Sequence, residues 1–171
     1  MTTENIMRKV SLDKVTVNIC VGNDKQTMIK ARKLLENLTK KTPVEAVAKR
    51  RLATWQIRPG LAIGYKVTLR GTEAAEFLAW ILESKSNKVK ASSLDKYGNF
   101  AVGVHEYLEL RGMKYDSDIG IMGFEVMTTF VRPGTRIKTR RLLKSRVPAR
   151  HKVTKAEVVE YMDKNFGVKV E

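Results

Sequence analysis

A strict two-residue period from Ile63 to Arg70 constrains this chain more than any other feature. Ile63, Tyr65, Val67 and Leu69 fall on one face, and Gly64, Lys66, Thr68 and Arg70 on the other. A strand with this pattern needs an apolar layer against one face and leaves a polar, cationic surface on the other. Turn signals bound it: Pro59-Gly60 before and Gly71-Thr72 after. The segment that leads into it, residues 47–58, is basic. Lys49, Arg50 and Arg51 stand side by side in a stretch of weak periodicity, and an anion is what relieves their repulsion. Trp55 has two readings, an anchor against the core or a platform for a base. Its neighbour Ile57 favours the anchor.

The rest of the chain supplies the layer. Residues 14–22 alternate with Val15, Val17, Ile19 and Val21 on one face and Lys14, Thr16, Asn18 and Cys20 on the other. The pattern predicts a strand in which Cys20 is a small packing residue. A helix is predicted over 27–41, with Met28, Ala31, Leu34, Leu35 and Leu38 as its stripe and Lys40 and Lys41 at its cationic end. A short extended piece follows at 44–47. A second helix begins after Gly71-Thr72 and buries Ala74, Phe77, Leu78, Ile81 and Leu82. Residues 84–96 read as a basic loop. Phe100, Val102 and Val104 alternate with Ala101 and Gly103, so one face of that strand carries almost no side chain. Phe124, Val126, Thr128 and Phe130 mark the last core strand. Strands 62–70, 98–105 and 124–131 are expected side by side in an antiparallel sheet. The fold class is α+β, two-layered, with helices on one face. The open face then carries Thr16, Asn18, Lys66, Thr68, Arg70, Ala101 and Gly103.

From 132 to 152 the composition shifts. Arg132, Arg136, Lys138, Arg140, Arg141, Lys144, Arg146, Arg150 and Lys152 occur without one acid, enough for five or more phosphate contacts. Thr154 and Glu157 stand at capping-box spacing and start a terminal helix that Gly167 ends. The expected organisation is a core over 1–131, with its loop at 47–58, and a basic extension plus helix over 132–171 in the same domain.

Charge narrows the function. The chain has 171 residues with 33 Lys and Arg against 18 Asp and Glu, a net +15, which favours a phosphate-rich partner. Apolar residues at 43% suffice for a core. The single cysteine, Cys20, forms no intrachain disulfide, which fits a reducing, cytoplasmic setting. No apolar run reaches the roughly 20 residues of a membrane span, and the N-terminus lacks a secretory pattern. Asp116, Asp118, His105 and His151 have no convergent partners in the sequence. The expectation is therefore no catalytic residue, no metal and no cofactor.

Three ordered blocks resemble one family. They are V-T-V-N-I-C-V-G at 15–22, A-K-R-R-L-A-T-W-Q-I-R-P-G-L-A-I-G-Y-K-V-T-L-R-G at 48–71, and D-K-Y-G-N-F-A-V-G-V at 95–104. Together they resemble the universal large-subunit ribosomal protein L-five family. R-P-G-T-R-I-K-T-R-R at 132–141 and the terminal helix resemble its archaeal and eukaryotic branch. The resemblance implies a component of the central protuberance, on the cytoplasmic ribosome, beside neighbouring ribosomal proteins. It implies 5S rRNA binding by the sheet face at Thr16, Asn18, Lys66, Thr68, Arg70, Ala101 and Gly103, and by Lys41, where the bacterial family has a glutamine. It implies contact with P-site tRNA through Lys49, Arg50, Arg51, Thr54 and Trp55, where Thr54-Trp55 replaces the bacterial Gly-Phe. The extension has no bacterial counterpart. Its Arg132, Arg136, Lys138, Arg140, Arg141, Lys144, Arg146 and Arg150 are expected on 23S rRNA or tRNA.

Overall fold

A computed structural model describes residues 5–170. Its elements are β1 (Ser11–Cys20), α1 (Lys25–Thr39), β2 (Val44–Val47), β3 (Ala62–Leu69), α2 (Thr72–Ser84), β4 (Lys88–Val89), β5 (Phe100–Val104), β6 (Phe124–Val131), α3 (Lys155–Phe166) and β7 (Lys169–Val170). Five strands form one mostly antiparallel sheet in the order β2-β3-β1-β6-β5. The α+β class predicted from the alternation is the one found. Strand order differs from the expected neighbours. β1 separates β3 from β6, and its Val15, Val17 and Ile19 lie at 0–3% exposure, as the inward residues of a central strand do. The chain forms two compact units: a first of residues 1–15, 70–101 and 128–171, and a second of residues 16–69 and 102–127.

In the second unit, α1 starts at Asp24. The Asp24 carboxylate caps the helix by accepting the Gln26 N–H at 3.0 Å and also takes the Thr27 hydroxyl. The Thr27 hydroxyl first, and the Gln26 N–H second, hold the Asp24 carboxyl below its ordinary value. The predicted stripe Met28, Ala31, Leu34, Leu35 and Leu38 is the buried face, and the helix packs against β3. β2 pairs antiparallel with β3, Val44 opposite Lys66 and Glu45 opposite Tyr65. Gly64 permits the closest approach in this unit. A Cβ there would overlap the Ile19 carbonyl oxygen, so only glycine lets β3 lie against β1 at that point.

In the first unit, α2 buries Ala74, Phe77, Leu78, Ile81 and Leu82, as its periodicity predicts. α3 opens with the predicted capping box: Thr154 and Glu157 each satisfy the other's backbone. Val158 and Met162 are its fully buried residues. Tyr161 stands edge-on to Phe130, with ring centroids 5.5 Å apart. The basic stretch 84–96 is not wholly a loop. β4 pairs parallel with β7 at the end of the chain, a two-residue ladder too short to leave a period in the sequence.

Candidate nucleic-acid interface

The outer face of the second unit is built by alternation alone. With Val17 and Ile19 of β1 and Val67 and Leu69 of β3 facing in, Thr16, Asn18, Lys66 and Thr68 face out on adjacent strands. Thr16 and Asn18 are half-buried, and Lys66 and Thr68 exposed. Gly103 is exposed on β5, and a Cβ there would meet nothing within 4 Å, so the backbone itself is open to a partner. Between β1 and β5 lies β6, which adds Glu125 and Met127 to this face. Asn18 Nδ2 lies 3.5 Å from the Glu125 carboxylate. Both β6 residues are legible in that strand's alternation yet absent from the residues singled out above. Cys20 is also exposed here, its thiol 3.5 Å from the Ile63 carbonyl. It is not the packing residue expected, because it ends β1 on the outward half of the pleat. Lys41 is exposed just beyond α1. Arg70 and Ala101 belong to the first unit and are exposed there. Arg70 reaches Asp13 at 2.8 Å.

The loop between β2 and β3 is a hairpin laddered at base and tip. Ala48 and Leu61 bond at the base at 2.8 Å. At the tip, Leu52 and Ile57 exchange both backbone bonds at 3.0 Å. Residues 53–55 form a single turn, closed by Gln56 in the left-handed conformation at φ 54°. This geometry assigns the anchor to Ile57, which is buried, and turns Trp55 out to 66% exposure. The expectation that Trp55 anchors the loop is therefore corrected. Two residues before Ile57 and inside the turn, its ring points away from the core. Lys49, Arg50, Arg51, Thr54 and Arg58 are all exposed. None of the four cations has a carboxylate partner among the described residues. Arg51 and Arg58 flank a cleft of about 470 Å³ floored by Ile57 and Leu61.

The extension in the first unit is folded on itself. Arg132 is buried, and its guanidinium binds the Glu157 carboxylate and, at 3.3 Å, the Arg150 carbonyl. Its side chain is thus spent inside the protein, unlike the surface cation its place in a basic run implies. Glu157 serves twice, since its other oxygen accepts the Thr154 N–H at 3.0 Å. His151 Nε2 lies 2.8 Å from the Pro133 carbonyl. Arg140 donates to the Leu143 carbonyl at 2.8 and 2.6 Å. Arg136, Lys138, Arg141, Lys144, Arg146 and Arg150 remain exposed, with no carboxylate partner among the described residues. Four of these cations, Arg136, Lys138, Lys144 and Arg146, border a basin of about 1130 Å³.

The acids of the 116–118 loop are engaged by a lysine of α1. Lys33 pairs with Asp118 at 2.7 Å and with Asp116 at 3.3 Å. Its ammonium group holds the Asp118 carboxyl below its ordinary value, and the Asp118 carboxylate raises Lys33. Among the described residues no group of His, Cys, Asp and Glu could hold a metal ion, and no helix is long and apolar enough to cross a membrane.

Two family models match: "Ribosomal protein L5" over residues 5–58, and the model of the C-terminus of the same ribosomal family over residues 62–149. The large ribosomal subunit protein uL5 of Sulfurisphaera tokodaii is 46% identical over 169 residues, covering 98% of this chain and 96% of the relative. The chain belongs to the ribosomal protein L5 family. The proteins of the same name from Sulfolobus acidocaldarius and Methanosphaera stadtmanae are each 42% identical over 98% of this chain, covering 94% and 99% of their own lengths. The protein is accordingly a ribosomal protein of the large subunit, a structural component and not an enzyme.

Proposed function

We propose that the protein binds 5S rRNA in the central protuberance of the large subunit and touches P-site tRNA through its β2–β3 hairpin. The supporting observation is the outer face of the second unit. Small and polar side chains there leave backbone and hydroxyl groups open, while Lys66 supplies charge. Such a face suits shape and 2′-hydroxyl recognition of structured RNA. Thr16, Asn18, Lys41, Lys66, Thr68 and Gly103 are the assigned 5S rRNA residues in the second unit, and Arg70 and Ala101 those in the first. The hairpin presents Lys49, Arg50, Arg51, Thr54 and an exposed Trp55 on a backbone-laddered support, a combination of phosphate-binding cations and a stacking ring. The exposed cations of the extension are assigned to 23S rRNA or tRNA. Neighbouring ribosomal proteins complete the setting.

The test is 5S rRNA binding across a salt series. Affinity is expected to fall steeply with salt and to exceed that for an unrelated RNA duplex. A flat salt dependence, or equal affinity for the unrelated duplex, overturns the reading. Replacing Lys49, Arg50 and Arg51 by alanine is expected to leave 5S rRNA binding intact and weaken tRNA binding. Loss of 5S rRNA binding in that variant would refute the division between face and hairpin.

A further inference from the structure

We propose that the basin of the first unit binds an unpaired stretch of RNA, with one base stacked on Tyr97 and the flanking phosphates held by Arg136, Lys138, Lys144 and Arg146. This rests on the reading of the extension as RNA-binding. It adds the strand state of the RNA and a recognition residue outside the extension.

Shape is the first support. The basin is concave and holds about 1130 Å³, more than the roughly 300–1,000 Å³ of small-molecule pockets. A duplex is a convex rod whose base faces are stacked out of reach, whereas an unpaired strand can enter a hollow and turn a base to its wall. Charge is the second. The four cations have no carboxylate partner among the described residues. Asp13, the one carboxylate lining the basin, is already engaged by Arg70 at 2.8 Å.

Tyr97 is the third. It lines the basin, is 45% exposed, and its hydroxyl makes no hydrogen bond among the described residues. A tight turn holds it. Asp95 accepts the Lys96 N–H on its carboxylate at 2.6 Å and the Gly98 N–H on its carbonyl at 2.9 Å, and donates its own N–H to the Asn99 carbonyl at 2.8 Å. Gly98 has φ +76°, and a Cβ there would meet Val158 Cγ2 at 2.5 Å, so the turn is pressed onto α3. The ring is therefore displayed by a rigid turn and is not buried as a core residue. The ammonium groups of Lys96 and Lys152 lie 5.2 and 4.8 Å from its centroid. Exposed cation–π contacts of this kind are weaker than base stacking. Both lysines are exposed, free to swing from the ring to the phosphates of the base that replaces them.

The experiment uses the full chain with a labelled single-stranded RNA of about ten nucleotides, within the usual site size, and the same sequence as a duplex. Tyr97→Ala is expected to weaken single-strand binding by roughly ten-fold, the scale of one lost stacking contact. Duplex binding and thermal stability should not change, and Tyr97→Phe should bind as the native protein does. Lys144→Ala with Arg146→Ala is expected to lower the single-strand salt slope by about 1.4, two phosphates at roughly 0.7 each. If Tyr97→Ala binds the single strand normally, or loses strand and duplex alike, the proposal is overturned. If the double alanine variant is silent on every RNA, the reading of the extension falls with it. If that variant weakens binding while Tyr97→Ala is silent, only the present proposal falls.

Discussion

The β2–β3 hairpin and the 132–152 extension are both acid-free, cation-rich connections, and the fold treats them in opposite ways. The hairpin is held by its own backbone and one apolar side chain. Its ladder closes at Ala48–Leu61 and Leu52–Ile57, Ile57 is buried, and every cation is left for the solvent side. The extension is held by one of its own cations. Arg132 turns inward onto Glu157 and the Arg150 carbonyl, and Arg140 curls onto the Leu143 carbonyl. A run of basic residues is thus not a count of contacts to an anion. Some of the charges serve the fold, and which ones do depends on where an acid or a carbonyl lies in space.

The most damaging way to probe this contrast is Arg132→Ala. It strips a buried ion pair of one partner, and because Glu157 is partly exposed the loss should sit near ~2–3 kcal/mol, below the range for fully buried pairs. Urea unfolding measures it; native stability in the variant would mean the extension is not clamped from within. Next comes Ile57→Ala, which should cost the hairpin about 2 kcal/mol, at the low end for a buried isoleucine near the surface. Hydrogen exchange at Leu52 and Ile57 should quicken while α1 stays protected, and unchanged exchange would assign the hairpin's order to its backbone alone.

Trp55→Ala should be nearly silent in stability, within about 0.5 kcal/mol, yet weaken tRNA binding roughly ten-fold if the ring stacks. A large stability loss there would restore the anchor reading. The mildest probe uses the acidic loop, where a cation and its acids are already paired. Asp118 is held below its ordinary value of 3.8 by Lys33. Its stabilising contribution is complete above that ordinary value and is lost as pH falls through the lowered one. Asp118→Asn should therefore flatten the acid side of the stability profile slightly and leave neutral-pH RNA binding unchanged. An identical acid limb in the two proteins would show the pair to be energetically idle, as many exposed pairs are.

Much of this molecule is legible in the order of its residues. The stripes of α1 and α2 are the buried faces residue for residue, and the capping box of α3 forms as its spacing requires. β1, β5 and β6 follow their two-residue periods, and β3 does from Lys66 onward; Gly64, which its period places on the outer face, is buried against β1 instead. Periodicity worked there because one face of each element meets a core, and burial then selects residue type at every turn or every second residue. It failed where no face is repeated. Residues 48–58 and 132–152 have no period to read. So the choice between Trp55 and Ile57 for the core, or Arg132 and Arg136 for the surface, left no mark in the order of residues.

What the sequence determined alone was therefore the longer helices and strands, their inward faces, the excess of positive charge and the family resemblance. All of these are properties of short windows or of composition. Tertiary structure alone decided that β1 is central, that β4 pairs with β7, that Trp55 faces out, and that Arg132 faces in. Each of the pairings depends on a partner far along the chain: β6 for β1, Val170 for Val89, Glu157 for Arg132. For Trp55 it depends on the hand of the turn closed by Gln56. Contacts between distant residues, and the turn geometry that hangs on them, are set by the folded chain and not by any local pattern.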